Sequence, residues 1–383
     1  MTNPLRELNE YGQSVWYDNL NLALLVSGEL QRLVEDDGVL GGTSNPTIFE
    51  KAIASSEVYD QRLTELAEAG HDRSRACHDL TIADVQQSAD VFRPVYERTE
   101  ARDGYASLEV SPELAYDTAA TTTEAQRLFL ALDRPNAMIK IPGTAEGLPA
   151  VEQCLSEGIN VNITLLFGVE NYEQVALAYI SALEKRLAAG QAIDRIASVA
   201  SFFVSRVDTL VDEHLARMIE MAATESARGL LRALYGKAAV ANAKIAYAKY
   251  SELFSGPRWQ RLADAGARVQ RCLWASTSTK NPAYRDVIYV EELIGPDTVN
   301  TLPHATVDAF RDHGRVASTL ESDLDGAFNA IRRLEAAGID FKAVTDELQV
   351  KGVELFTDSY HQALNTISAK IDALLKRPHA PVT

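Results

Sequence analysis

Eight strand-sized apolar segments constrain the fold more than any other feature of this chain. They lie at 14–20, 39–44, 105–110, 137–141, 160–167, 196–203, 271–276 and 298–302, and most end in a polar or turn residue. Longer stretches with helical periodicity separate them, such as 123–132, 147–157 and 171–189. Strands that alternate with helices imply a parallel sheet, and eight is the number that closes into a barrel. The expected fold class is therefore α/β, a (β/α)8 TIM barrel, with an open doubly wound sheet as the alternative. Two gaps, 47–104 and 204–270, exceed what one helix needs and predict additional helices on the outside. A short N-terminal helix is expected before the first strand. The tail after 303 reads as the last barrel helices. Its 340–375 stretch is amphipathic at both ends and stops at Arg377-Pro378. No low-complexity tract, linker or repeat divides the chain, so one domain is expected over 1–383.

Composition narrows the partners. The 383 residues carry a formal net charge of −17, which argues against nucleic acid or an anionic membrane surface. An anionic small molecule stays compatible, because a phosphate needs only a few local cations and backbone N–H donors. Cys77, Cys154 and Cys272 are too few and too scattered for a disulfide framework or a zinc site. The polar N-terminus has no signal-peptide run, and no long uncharged apolar segment follows it. A cytoplasmic protein is expected.

In such barrels the chemistry sits at the C-terminal ends of the strands, and that rule sorts the polar residues. Lys140 lies in a strand bounded by Asn136 and Pro142. Alternation turns Ile139 and Ile141 outward and Lys140 inward with Met138. Burial favours the neutral amine, which is the nucleophile that makes a Schiff base with a carbonyl. A structural ion pair is the competing reading. Glu109 ends the preceding strand beside Lys140, where a carboxyl can shuttle the proton that carbinolamine chemistry requires. Asp18 ends the first strand and is placed to deprotonate a sugar hydroxyl, or to cap the next helix. Asn160, Asn162 and Thr164 share one face of their strand, the interior one, and Asn45 sits in Thr43-Ser44-Asn45-Pro46. Interior polar groups need partners: substrate, water or a structural network. Arg206 and Lys280 follow late strands, the latter after a Ser/Thr-rich approach that suits a phosphate.

Dinucleotide and P-loop glycine patterns are absent, and the seven histidines are dispersed without metal-ligand spacing. His304 is near the mouth, but a lone histidine is more often structural. No metal and no cofactor is expected, since a protonated imine is itself an electron sink.

These pieces together resemble the transaldolase family. The resemblance rests on Thr43-Ser44-Asn45-Pro46, Ser107-Leu108-Glu109-Val110, Ile139-Lys140-Ile141-Pro142 and the run from Ile159 to Phe167. It is completed by Ser201-Phe202-Phe203-Val204-Ser205-Arg206 and by the run from Trp274 to Pro282. It extends from about residue 10 to about 375, and the late motif looks like the longer bacterial subtype. It implies a class I aldolase type of barrel that moves a dihydroxyacetone unit between sugar phosphates in the non-oxidative pentose phosphate pathway. By resemblance, Lys140 forms the Schiff base and Glu109 acts as acid/base through a water that Thr164 positions. Asp18 deprotonates the C4 hydroxyl, and Asn45 and Asn162 hold donor hydroxyls. Ser201 and Phe203 belong to the substrate channel, while Arg206, Ser278 and Lys280 bind phosphate. Many relatives carry arginine where Lys280 stands, and lysine keeps the charge without the bidentate fork. A homodimer is also implied. Two competing functions are a fructose-6-phosphate aldolase-like lyase and a non-catalytic sugar-phosphate-binding barrel. In related proteins the lyase goes with glutamine at the position of Glu109.

Overall fold

A computed structural model describes residues 3–375. Eight parallel strands close on themselves in sequence order. They are β1 (Gln13–Asp18), β2 (Gly41–Thr43), β3 (Ala106–Glu109), β4 (Ala137–Pro142), β5 (Val161–Leu166), β6 (Ser198–Phe203), β7 (Arg271–Ala275) and β8 (Thr298–Leu302). Every expected strand is present, and β1 pairs with β8 to shut the barrel. The open-sheet alternative is thereby excluded.

The two long gaps hold the expected additional helices, but Pro46–Ser55 packs against the C-terminal helix at the strand ends instead of on the outside. The first contains Pro46–Ser55, Asp60–Glu68 and Arg73–Arg98, and the second Ser205–Met221, Glu225–Arg232, Ala238–Leu253 and Pro257–Asp264. The N-terminal helix Pro4–Glu10 starts at Asn3, whose side chain accepts from the Leu5 amide. All three cysteines are buried thiols in the core.

Strand alternation holds with one exception. In β5 the register shifts between Ile163 and Leu166, and Leu165 has φ +60°. A non-glycine residue in the left-handed region is uncommon, and here it marks an irregularity at the barrel rim. The shift breaks strict alternation just beyond Thr164. In β2, close approach explains a glycine: a Cβ on Gly41 would lie 2.7 Å from the Trp16 ring.

The C-terminal tail differs from an ordinary outer barrel helix. Phe341–Leu375 is one 35-residue helix, about 50 Å long at 1.5 Å per residue. It lies across the C-terminal end of the barrel. Gln349 Nε2 donates to the carbonyls of Gly143 and Leu165 at 3.0 and 3.1 Å. Thr47 Oγ1 donates to Ser359 Oγ at 2.7 Å. The expected stop at Arg377-Pro378 lies outside the described residues.

The opposite end of the barrel is plugged by charge. Arg271 Nη2 meets Asp103 Oδ1 at 2.9 Å, with both side chains buried. Ser14 Oγ and Trp16 Nε1 also donate to this carboxylate, at 2.8 and 3.0 Å. Removing one partner of such a pair leaves an uncompensated buried charge. Asp103→Ala should therefore cost about 3–5 kcal/mol, read as a lower urea midpoint with an unchanged slope.

Candidate active site

Adjacent strands bring Lys140 and Glu109 together without any help from loops. They are directly registered partners on β4 and β3. Lys140 Nζ lies 3.4 Å from Glu109 Oε2, with side-chain exposures of 6% and 3%. The amine also points to the Ser44 carbonyl at 3.4 Å and sits 5.7 Å from the centre of the Phe356 ring. Apart from this ion pair, neither carboxylate oxygen of Glu109 has a hydrogen-bond partner among the described residues. Burial pushes the Glu109 carboxyl up to about 7, against the opposing pull of the Lys140 charge. A carboxyl held there can both give and take a proton near neutral pH.

Asp18 ends β1. Burial raises its pKa, while Lys140, the Thr43 hydroxyl and Lys280 pull it back. Thr43 Oγ1 donates to Asp18 Oδ1 at 2.7 Å and also contacts Thr301 Oγ1 at 2.9 Å. The capping alternative for Asp18 fails. Asn21 caps the following helix instead, its side chain accepting from the Leu24 amide. Asn45 does act as a cap: its Oδ1 accepts from the Ile48 amide at 3.0 Å, starting the helix Pro46–Ser55. That bond uses the carbonyl side of Asn45 and leaves the amide nitrogen for another partner.

A cleft of about 270 Å³ opens at the C-terminal ends of the strands. Of the residues to which the resemblance gives a role, Asp18, Asn45, Lys140, Thr164, Ser201, Phe203, Arg206, Ser278 and Lys280 all line it. Two do not. Glu109 stands at its back, on the far side of the lysine, and lines a neighbouring cavity. Asn162 lies behind the wall, donating to Ser107 Oγ at 3.2 Å and accepting from Ser201 Oγ at 2.6 Å. Its two amide ends are thus engaged with serines that hold it between β3 and β6. The Thr164 hydroxyl is buried and has no hydrogen-bond partner among the described residues.

The rim gathers positive charge. Arg206, in the first turn of Ser205–Met221, lays its guanidinium 5.5 Å from the centre of the Phe203 ring. Burial lowers its pKa. Lys280 stands at the exposed edge, where its amine donates to Ser278 Oγ at 2.6 Å. Partial enclosure lowers its pKa first, followed by the like charges of Arg206 and Lys51. Like cations held at one rim favour a multiply charged anion.

Sequence reasoning missed Lys51, Phe356 and Leu355, which also line the cleft. Lys51 sits one helical turn beyond Thr47 in Pro46–Ser55, and its spacing from the Thr43-Ser44-Asn45-Pro46 motif was the available signal. Phe356 belongs to the long C-terminal helix, and nothing local marks it. His304 stays outside the cleft, held by the Tyr17 hydroxyl at 3.1 Å. Among the described residues no group of three or more His, Cys, Asp or Glu side chains is placed to hold a metal ion.

Comparison with known proteins gives one consistent answer. A family model described as Transaldolase/Fructose-6-phosphate aldolase matches residues 15–367. A Nostoc punctiforme protein named Transaldolase 2 is 49% identical, covering 97% of this chain and 99% of its own length. A Trichodesmium erythraeum protein named Transaldolase is 46% identical, covering 98% of this chain and 99% of its own. A Thermobifida fusca protein of the same name is also 46% identical, covering 97% and 100%.

The raised Glu109 carboxyl has a consequence for stability. Its pKa is ordinarily 4.5 and about 7 in the folded chain. Below about 4.5 it is protonated in both states, and its contribution to stability is complete. As pH rises through about 7, the unfolded chain ionises more readily and that contribution is lost. Glu109→Gln cannot titrate. Wild type should therefore lose stability relative to this variant between those two pH values, measured as urea midpoints at a series of pH values.

Proposed function

The chain belongs to the transaldolase family, a transferase of dihydroxyacetone units in the non-oxidative pentose phosphate pathway, and from that premise we propose how its residues divide the work. Lys140 is the Schiff-base nucleophile. The observation that carries this is a buried amine 3.4 Å from an under-bonded carboxylate, facing a cleft with a cationic rim.

The substrates are sugar phosphates. The phosphate of fructose 6-phosphate or sedoheptulose 7-phosphate docks on Arg206, Ser278 and Lys280, with Lys51 as a further cation at the same rim. The ketone carbon then lies toward Lys140. Glu109 donates the proton that turns the carbinolamine hydroxyl into water, and the Thr164 hydroxyl orients that water. Asp18 takes the proton from the C4 hydroxyl, which breaks the C3–C4 bond and releases an aldose phosphate. The electron pair left on C3 is delocalised into the protonated imine as an enamine. An incoming aldose phosphate is attacked by that carbon, and Asp18 returns the proton. Asn45, through its free amide nitrogen, and Ser201 hold donor hydroxyls. Phe203 packs under Arg206 and keeps its guanidinium at the phosphate. Asn162 acts on substrate through Ser201, to which it is bonded.

Phe356 and Leu355 supply an apolar wall over the lysine. Such a wall protects the enamine from water until the acceptor arrives, which favours transfer over release of free dihydroxyacetone. A cytoplasmic location and a homodimer complete the proposal, the latter checked by light scattering.

Borohydride with fructose 6-phosphate should add one reduced dihydroxyacetone-sized mass to Lys140, and an unmodified Lys140 under turnover would remove it from the mechanism. Glu109→Gln should lose transfer activity on the order of 10²-fold or more, with retained activity overturning its role. Glyceraldehyde 3-phosphate release from fructose 6-phosphate should depend on erythrose 4-phosphate. Sustained release without that acceptor would instead mark a lyase.

A further inference from the structure

The Lys140–Glu109 pair stands between two hollows, with Asn45 as a wall common to both. Lys140 faces the substrate cleft. Glu109 lines a smaller cavity of about 50 Å³, whose walls include Ser111, Cys77, Phe49, Tyr360 and Ala363. This cavity leads from Glu109 toward His78 and Thr81, both half-buried on the helix Arg73–Arg98. A water needs roughly 10–15 Å³ of such space. The cavity therefore has room for a few waters in file and none for a sugar phosphate. Its walls are largely apolar, yet three buried polar atoms at it are under-bonded among the described residues: Glu109 Oε1, Glu109 Oε2 beyond its 3.4 Å ion pair with Lys140, and the Ser111 hydroxyl, which has only the Tyr360 hydroxyl beside it. Buried polar groups are ordinarily bonded, so such a cluster beside a water-sized hollow points to water as the partner.

We propose that this cavity is a back passage through which water exchanges at Glu109, separate from the mouth that admits sugars, with Ser111 as a positioning residue along it. The proposal rests on the Schiff-base reading of Lys140 and gives it a route. In that reaction the amine forms a C–N bond at the ketone carbon C2. The C2 hydroxyl then leaves as water, taking a proton from Glu109. After the acceptor has added, a water attacks C2 and gives its proton to Glu109, and the C–N bond breaks to restore ketone and amine. One water leaves and one enters per transfer. Meanwhile the enamine faces the substrate cleft, where stray water would hydrolyse it unproductively. Access through the carboxylate side separates the two demands.

The test uses fructose 6-phosphate with heavy oxygen at C2 and erythrose 4-phosphate as acceptor, with a no-enzyme control. Mass spectrometry reads the label at C2 of the sedoheptulose 7-phosphate formed in early turnover. With an open passage the expelled water escapes during the enamine's lifetime, so wild type should give product nearly free of label. Ala363→Met and Ser111→Val narrow the passage from different walls, one on the C-terminal helix and one after β3. Each should raise the retained label several-fold. Two variants keep the test decisive should one fail to fold. Full retention in wild type, or retention unchanged in both folded variants, would overturn the passage. Borohydride trapping on Lys140 is run in parallel. Loss of trapping in wild type would sink the Schiff-base reading itself, whereas intact trapping with unchanged label would sink the passage alone.

Discussion

Everything at the working end of this barrel depends on keeping an amine and a carboxylate side by side away from water. Burying two charges is costly, and their attraction compensates only when the geometry is fixed and the remaining hydrogen bonds are made. Here the geometry is fixed by the most rigid means available, registered residues on neighbouring strands. The remaining hydrogen bonds are largely left unmade. Among the described residues Glu109 has no other partner, and the nearby Thr164 hydroxyl has none. An under-bonded pair is a poor contributor to stability and a good place for a proton to change hands.

The other end of the barrel shows the contrast. Arg271 and Asp103 are as deeply buried as Lys140 and Glu109, but their lone pairs and N–H groups are spent on Ser14, Trp16 and the Arg102 carbonyl. One barrel thus contains a saturated ion pair that plugs it and an unsaturated one that can react. The division agrees with the general separation of stability and catalysis between the two faces of this architecture.

Much of this was legible in the sequence because it is governed by short-range periodicity. Alternation in 137–142 places Lys140 inside, and strand order places Glu109 next to it. The strand-end position brings Asp18, Ser201 and Arg206 to one rim. What escaped depends on contacts distant in the chain or on competition between partners. Phe356 reaches the lysine only because a 35-residue helix crosses the barrel, and no local pattern encodes that path. Asn162 reads like a substrate ligand by its position on an inward face. Two serines from other strands engage its amide first. Asn45 combines both readings, as a helix cap by its oxygen and a cleft residue by its nitrogen. The φ of Leu165, which ends the alternation of β5, likewise has no signature in a run of β-formers.

The crossing helix has a further consequence for the order in which the molecule comes into being. During synthesis the lysine and its carboxylate leave the ribosome long before the segment that roofs them, since Phe356 follows Lys140 by more than half the chain. β1 also lacks its β8 neighbour until late. A nascent chain therefore holds this amine without the aromatic ring that lies over it in the finished molecule. Enclosure of the amine is thus conferred by a late segment, and an incomplete product lacks the covered pair rather than only an outer helix.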